Sequence, residues 1–391
     1  MRFRRLVGAA LIVTAASTSG CVAREVGRTP GRFITPERAD REESLDPNDV
    51  SAEVAWRRIG EVDYDDFSIP LSSPDGRYLA VRSGAPPTWS AILAKPDARP
   101  TSVVSIEILR IEPDAVERVR TIRGPWLLGR GADARGFLIE EQRPDGTRRI
   151  GRVPWSGGEP TWLVDDEFVN AFATIGPDGT LAWSRRRVEE SSFDLMVRRP
   201  DTPDWRLERR FERSWIDPVL ADDGRTIFAL RRGDGTVELG WSRLTDEARF
   251  RDGMITHPIS IRTNERLVHA MLSPQVGIEA SPPGGPPRII FLHPDLQRLV
   301  EWSPERDLAR PFPEDVIVAS MLDEDRGIAA TDDALLFVEL APSGGLPPAS
   351  IRVAETLAIP RRSGIETDPI LLLRPGSGRF EMLLARLRDA N

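Results

Sequence analysis

The sequence predicts an all-β fold, a β-propeller of seven blades with six as the alternative, on three observations. A hydrophobic stretch repeatedly runs into a tight polar turn and out into a second hydrophobic stretch. The clearest copies are Leu71-Ser-Ser-Pro-Asp-Gly-Arg-Tyr-Leu-Ala-Val81, Ile175-Gly-Pro-Asp-Gly-Thr-Leu-Ala-Trp183 and Leu220-Ala-Asp-Asp-Gly-Arg-Thr-Ile-Phe-Ala-Leu230. The turns recur with a period of about fifty residues, roughly what one four-stranded blade uses. No long stretch beyond the N-terminal leader holds a helical period, whereas short runs rich in Val, Ile, Leu and Phe, many of them bounded by Gly, Pro or Asp, continue to the end.

The elements follow in chain order. Residues 1–20 read as an export leader: Arg2, Arg4 and Arg5 form a basic start, and Leu6 to Ala16 form an apolar core. That core falls short of the about 20 residues needed to span a bilayer. Cys21, the only cysteine, follows Thr18-Ser19-Gly20 and is placed as in a bacterial lipobox, which makes it the expected lipidation site. Thr18 departs from that pattern, since the position is usually aliphatic, and cleavage by the ordinary signal peptidase after Ala23 is the alternative. Residues 21–52 are rich in charge and proline and read as a flexible tether, too poor in apolar surface to offset the entropy of ordering. The propeller occupies 53–391, beginning with a strand over Val54 to Ile59.

Further strands are expected over Val103 to Leu109, Phe137 to Glu141, Leu195 to Arg199, Arg288 to Leu292, Val316 to Met321 and Leu335 to Leu340. The repeated turns fall near Asp75, Asp133, Asp178, Asp223, Pro274, Glu324 and Gly376. A tight hairpin needs positive φ, which Gly adopts without cost and Asp tolerates, so these aspartates read as turn formers. The chain ends soon after the seventh turn, so the last blade would lack outer strands. The strand at Val54 to Ile59 is the candidate to close the ring and cover the exposed edge. In the six-blade alternative, Pro369 to Leu387 would serve as closing strands.

Composition narrows the partners. The chain carries 53 basic and 61 acidic residues, a formal charge of −8. Loss of Arg2, Arg4 and Arg5 with the leader takes this to −11. An acidic surface argues against nucleic acid. Lys95 is the sole lysine; the arginines are scattered among acids, as an Arg-favouring genome would produce. A lone cysteine leaves no intrachain disulfide, so stability must come from the core.

The Ser73-Pro-Asp-Gly-Arg-Tyr-Leu-Ala type of repeat resembles the WD-like propeller repeats of TolB-like periplasmic proteins. The resemblance covers about residues 65 to 387, with three clear copies and four degraded ones. It implies a propeller whose channel or face binds a partner. The extra N-terminal α/β domain of TolB has no counterpart in the short polar tether.

No chemistry stands out. Asp222-Asp-Gly-Arg-Thr-Ile is faintly like a sialidase Asp box, but only Tyr64 and Tyr78 are present as nucleophile candidates. Asp323-Glu-Asp-Arg-Gly327 alternates carboxylates as a calcium loop does, lacks the later ligands and reads as a solvated turn. His257, His269 and His293 have no partner at ligand spacing. There is no Gly-x-Ser-x-Gly elbow and no phosphate-binding loop. Trp126, Trp155, Trp162, Trp183, Trp215, Trp241 and Trp302 are expected to pack between blades, while Trp89 is the best surface candidate. Positions preceding the turns (Ile69, Leu71, Phe172, Thr174, Val219, Met271, Val318) are mostly apolar. The expectation is therefore a lipid-anchored propeller of the bacterial cell envelope, extracytoplasmic, that binds or scaffolds an envelope protein, with no catalytic, cofactor or metal residues assigned. The alternative is a propeller enzyme of lyase, lactonase or glycosidase type working in the central channel.

Overall fold

The computed structural model describes residues 52–63, 70–83, 103–200, 205–206, 214–221, 223–233, 236–244, 255–261, 288–293, 298–303, 309–316, 318–321, 325–331, 333–340, 349–354, 359–362, 370–375 and 379–389. Among these residues every helix or strand element is a β-strand. After β1 (Ala52–Asp63) the strands fall into antiparallel units. The first holds β2 (Leu71–Ser72), β3 (Tyr78–Ser83), β4 (Val104–Ile111) and β5 (Val116–Gly124). The second holds β6 (Trp126–Asp133), β7 (Gly136–Gln142), β8 (Arg148–Pro154) and β9 (Thr161–Val164). The third holds β10 (Val169–Ile175), β11 (Leu181–Arg186), β12 (Asp194–Arg198) and β13 (Trp205–Arg206). One parallel bridge, Val169 to Arg148, joins the second and third units into a single sheet.

The fourth unit holds β14 (Ser214–Leu220), β15 (Thr226–Gly233), β16 (Thr236–Arg243) and β17 (Ile255–Ile261). In the fifth, β18 (Ile289–His293), β19 (Arg298–Trp302) and β20 (Ala309–Pro311) are described. The sixth holds β21 (Val318–Met321), β22 (Arg326–Ala330), β23 (Leu335–Glu339) and β24 (Ala349–Ala354). The seventh combines β25 (Ile359–Arg362), β26 (Ile370–Pro375) and β27 (Arg379–Asp389) with β1, in the order β1-β27-β26-β25. The strands expected from the sequence appear within a residue or two of their places, and the run at Val54 to Ile59 lies inside β1.

The two-residue periodicity of a strand explains how the units stack, because alternate side chains serve opposite faces. On β3, Leu79 and Val81 pack with Leu371, Leu373 and Met382 of the seventh unit, while Ala80 packs with Phe137 and Ile139 of the second. On β7, Leu138 turns the other way, to Trp183 and Met196. Ala182 of β11 in turn joins Leu220, Ile227 and Ala229. Phe228 of β15 faces Val300 and Trp302, in a cluster that runs on to Ala329 and Val338. Ile328 and Ala330 of β22 meet Ile370 and Leu372 of β26. Leu371 and Leu373 then return the succession to the first unit. Each unit is a slice between two apolar seams, and the seams run from first to last and back to first. This is a β-propeller. Burying one Leu, Ile or Phe in such a seam is worth about 1.5–3 kcal/mol, and the fold rests on dozens of such groups.

One expectation is corrected. The turn near Gly376 is not in phase with those at Asp75, Asp178 and Asp223. The latter join the first and second strands of their units. Gly376, itself outside the described residues, falls between β26 and β27, the second and third strands, because β25 flanks β26 and lies beside β21 and β22. The seventh unit therefore has its outer strand, β1. The physical reason is that any tight hairpin favours the same turn residues, so the turn signal does not report which pair of strands it joins. Arg143-Pro-Asp-Gly-Thr147 makes the same point: it links β7 and β8, again second to third, and Gly146 has φ 86.

Candidate functional site

Because the strands alternate in direction, one face of the ring carries the turns between first and second strands. The opposite face carries the connections between second and third strands and those between units. Three turns of the first face satisfy their own carboxylates. The Asp178 carboxylate accepts from the Thr180 N–H at 2.9 Å and from its hydroxyl at 2.8 Å. Asp223 accepts from the N–H of Arg225 and Thr226 and from the Thr226 hydroxyl, at 2.9, 2.7 and 2.7 Å. Asp75 accepts from the Ser73 hydroxyl at 2.5 Å and from the Arg77 N–H at 3.1 Å. Neighbouring turns also nest: Gly224, at φ 63, leaves so little room that a Cβ there would lie 3.0 Å from the Asp178 carboxyl carbon. These carboxylates are spent on their own backbone, as turn formers.

The opposite face differs at the second and third units. Its foundation is a kink in β10. The register of β10 on β11 shifts between Ala171 and Thr174, and Phe172 sits in the left-handed region at φ 59, at a cost of roughly 1–2 kcal/mol for a residue with a side chain. Such a bulge takes an N–H out of the ladder. Here the Ala173 N–H donates to Glu140 Oε1 at 3.0 Å, from the neighbouring unit. The same shift occurs in β14 between Ile216 and Val219, where Pro218 has no N–H to lose, and a larger one in β6 between Leu128 and Ala132.

Glu140 is itself buried, and its other oxygen lies 3.4 Å from Arg148 Nη1, whose side chain is 2% exposed. Burial, the largest influence, pulls Arg148 below the ordinary guanidinium range, and Glu140 opposes it. Asn170 completes the network. Its amide donates to the Arg148 carbonyl at 3.0 Å and to Asp166 Oδ1 at 2.7 Å, and its oxygen accepts from Trp183 Nε1 at 2.9 Å. These side chains bind one another and the backbone across the boundary between the second and third units, which fixes the face above them.

That face presents guanidinium groups stacked on rings and held by carboxylates. Arg149 lies 3.5 Å over Trp162 and binds Glu141 at 3.1 Å and Asp165 at 3.4 Å. Arg143 pairs with Asp165. Arg185 lies 4.6 Å over Phe168 and faces Asp166 at 3.9 Å. Arg186 caps the loop that follows β11 by donating to the carbonyls of Arg187, Val188 and Glu190 at 3.1, 2.9 and 2.5 Å. Burial first, and Arg148 second, lower its pKa. Stacking and ion pairing hold these partly exposed cations in place, which suits recognition of acidic or polar groups.

The residues singled out in the sequence scatter. Cys21, Tyr64, Ile69, Trp89, Asp222, His269, Met271, Pro274, Asp323 and Glu324 lie outside the described residues. His257 and His293 fall on β17 and β18. Among the described residues no group of three or more His, Cys, Asp or Glu is placed to hold a metal ion. Trp155, Trp183 and Trp302 are buried, and Trp126, Trp162 and Trp241 are partly buried against the seams. Phe172 and Val219 lie in the seam shared with the fifth and sixth units, and Val318 in the next.

Asp325 is corrected: it does not belong to a merely solvated turn but binds the buried Arg310 at 2.6 Å. Asp133 also does more than form a turn, since its Oδ2 binds Arg152 at 2.7 Å. The buried arginines 82, 148, 288 and 310 had no signal in the sequence beyond their position in strand runs.

No protein-family model matches the chain, and no curated protein does. Among solved structures the chain is similar to the Dos1 propeller, at 8% identity and TM-score 0.48, over 84% of this chain and 95% of that one. It is similar to a putative TolB from Agrobacterium tumefaciens, at 16% identity and TM-score 0.35, over 50% of this chain and 67% of that one. It is also similar to a prolyl endopeptidase, at 14% identity and TM-score 0.44, over 85% of this chain but only 48% of that one. The chain thus spans about half of the peptidase's length.

Proposed function

We propose that the protein is a non-catalytic binding or scaffolding propeller, exported and anchored to a membrane of the cell envelope through Cys21, and that it engages an envelope protein through the face bearing Arg143, Arg149 and Arg185. The observation that carries this reading is the contrast between faces. On one, Asp75, Asp178 and Asp223 are consumed within their own turns. On the other, partly exposed cations, Arg149 and Arg185 of them stacked on rings, stand on a buried hydrogen-bonded foundation. A rigid polar surface of this kind suits recognition, which in propellers resides in connections rather than in the strands that hold them.

The test is co-purification of the tagged protein from gently solubilised envelopes, read by mass spectrometry for proteins and bound metals. The expected result is a stoichiometric protein partner that is lost in the Arg143→Ala/Arg149→Ala/Arg185→Ala variant. A tightly held metal with no protein partner would point instead to an enzyme. The anchor is tested separately: Cys21→Ala should release the protein from membranes with its β-rich circular dichroism unchanged, and a variant still bound after leader cleavage would refute the lipid anchor.

A further inference from the structure

The seventh unit takes three strands from one end of the chain and its fourth from the other. β1 lies against β27 from Ala52↔Asp389 to Asp63↔Arg379, with one irregularity between Arg58 and Gly60. What holds it there divides into two parts. The first is the backbone ladder, which any extended strand can supply. The second is specific to this sequence. Ile59 and Val62 enter the seam with Phe380, Met382 and Leu384, and Trp56 packs against the seam on the other side.

Charged partners add register. Arg58 Nε lies 3.1 Å from Glu381, and Arg379 lies 3.3 Å from Glu61 and 3.0 Å from Asp63. Most of these side chains are exposed, so each pair holds weakly, but each is correct in only one register. β27, by contrast, buries Phe380, Met382, Leu383, Leu384 and Ala385 and pairs with β26 on its other edge. The sheet is therefore anchored through β27, while β1 pairs along one edge only and is the one strand of the sheet supplied from the other end of the chain. Removing β1 leaves an edge of paired, buried residues ready to accept a strand.

We propose that β1 is an exchangeable closing strand: its local release opens a strand-addition site along β27, whose matched occupant is residues 52–63 of a second copy of this chain. Only that sequence supplies Trp56, Ile59 and Val62 at the right spacing together with Arg58 in reach of Glu381 and Glu61 and Asp63 in reach of Arg379. The device is strand swapping, in which copies trade identical elements without new contacts. It does not depend on the binding face described above.

Three measurements test it on the full chain. Hydrogen exchange should show the β1 amides opening while those of Leu371 to Leu373 in β26 stay protected; exchange of both strands in one common step would overturn the proposal. A labelled peptide of residues 52–63 should incorporate one to one, and the same peptide carrying Ile59→Asp and Val62→Asp should not. Equal incorporation of both peptides, or of neither, would overturn the matched-strand assignment. Finally, two differently tagged copies incubated at high concentration should be captured together. Oxidation of a Glu61→Cys/Glu381→Cys pair, in a Cys21→Ser background, should abolish that capture, and reduction should restore it. Capture that persists in the oxidised form would show that copies associate by another surface.

Discussion

Arg148 and Arg310 each have a side chain only 2% exposed, yet their surroundings push them in opposite directions. Arg148, between the second and third units, has Glu140 at 3.4 Å, and burial wins: its pKa falls. Arg310, on β20, has Glu301 at 2.7 Å and Asp325 at 2.6 Å. Burial is again the largest single influence and works downward, but the two carboxylates together outweigh it and hold the guanidinium above its ordinary range. Glu301 also lies 3.7 Å from Arg288, which makes it the centre of a buried chain of charge. The lesson is that burial and acceptors compete at each guanidinium: deep burial outweighs the long contact to Glu140 at Arg148, while two close carboxylates outweigh a shallower burial at Arg310.

The largest effect should come from breaking the better-supplied cluster. Glu301→Gln leaves Arg288 and Arg310 buried around a neutral amide and should cost about 3–5 kcal/mol, the usual consequence of removing one member of a buried ion group. Urea unfolding at neutral pH checks this; a loss under ~1 kcal/mol would mean that water reaches the cluster. Glu140→Gln should cost less, roughly 1–3 kcal/mol, because the contact to Arg148 is long and an amide oxygen can still accept the Ala173 N–H. The sharper comparison is rescue. Arg148→Met should recover much of the Glu140→Gln loss, since Glu140 is the group that opposes the burial of Arg148. Arg310→Met should recover little of the Glu301→Gln loss, since Arg288 and Asp325 would remain. Equal rescue at both sites would erase the distinction between them.

How far these features could be read from the sequence follows from the range of the interactions. The turns at Asp178 and Asp223 were legible because their bonds reach two or three residues along the chain, and the residue types required there are few. The seams were legible as a class, through the alternation on β3, β7 and β11. The polar foundation was not. Glu140 meets Ala173 and Asn170 meets Arg148 across a unit boundary, and nothing in Phe137 to Glu141, an ordinary strand run, marks one carboxylate as buried. Asp325 misled for the same reason: its partner Arg310 belongs to another unit, so its local sequence looked like a solvated acidic turn. The phase of the last turn was illegible because it is fixed by where β25 and β1 lie, not by the residues around Gly376.

Within the turns the effects should be smaller. Asp178→Ala removes two acceptors from the Thr180 N–H and hydroxyl, and solvent can replace part of them, so the expected loss is about 1 kcal/mol. Thermal unfolding checks it. A loss like that of Glu140→Gln would mean that the nesting of Gly224 against Asp178 holds the units together, not merely the turn.

The smallest expected effect isolates a carboxylate with almost no burial. Asp145 accepts from the Thr147 hydroxyl at 2.6 Å and from its N–H at 2.9 Å, in the hairpin between β7 and β8. The hydroxyl bond is the main cause, and the backbone bond the second, of a pKa held below the usual 3.8. The sign follows from linkage. In the unfolded chain the group titrates near its ordinary value, so the stability it contributes is fully present above that value and is lost as pH falls through the lower, folded one. Asp145→Asn keeps an acceptor but cannot titrate. The stability difference between the two proteins should therefore be constant near neutrality and shrink on acidification, staying well under ~1 kcal/mol throughout because the site is exposed. Urea midpoints measured in parallel across the acid range decide the matter. A difference that grew with acidification would mean that the carboxylate is favoured in its protonated form, and that the turn, unlike Arg148, is governed by something other than its own hydrogen bonds.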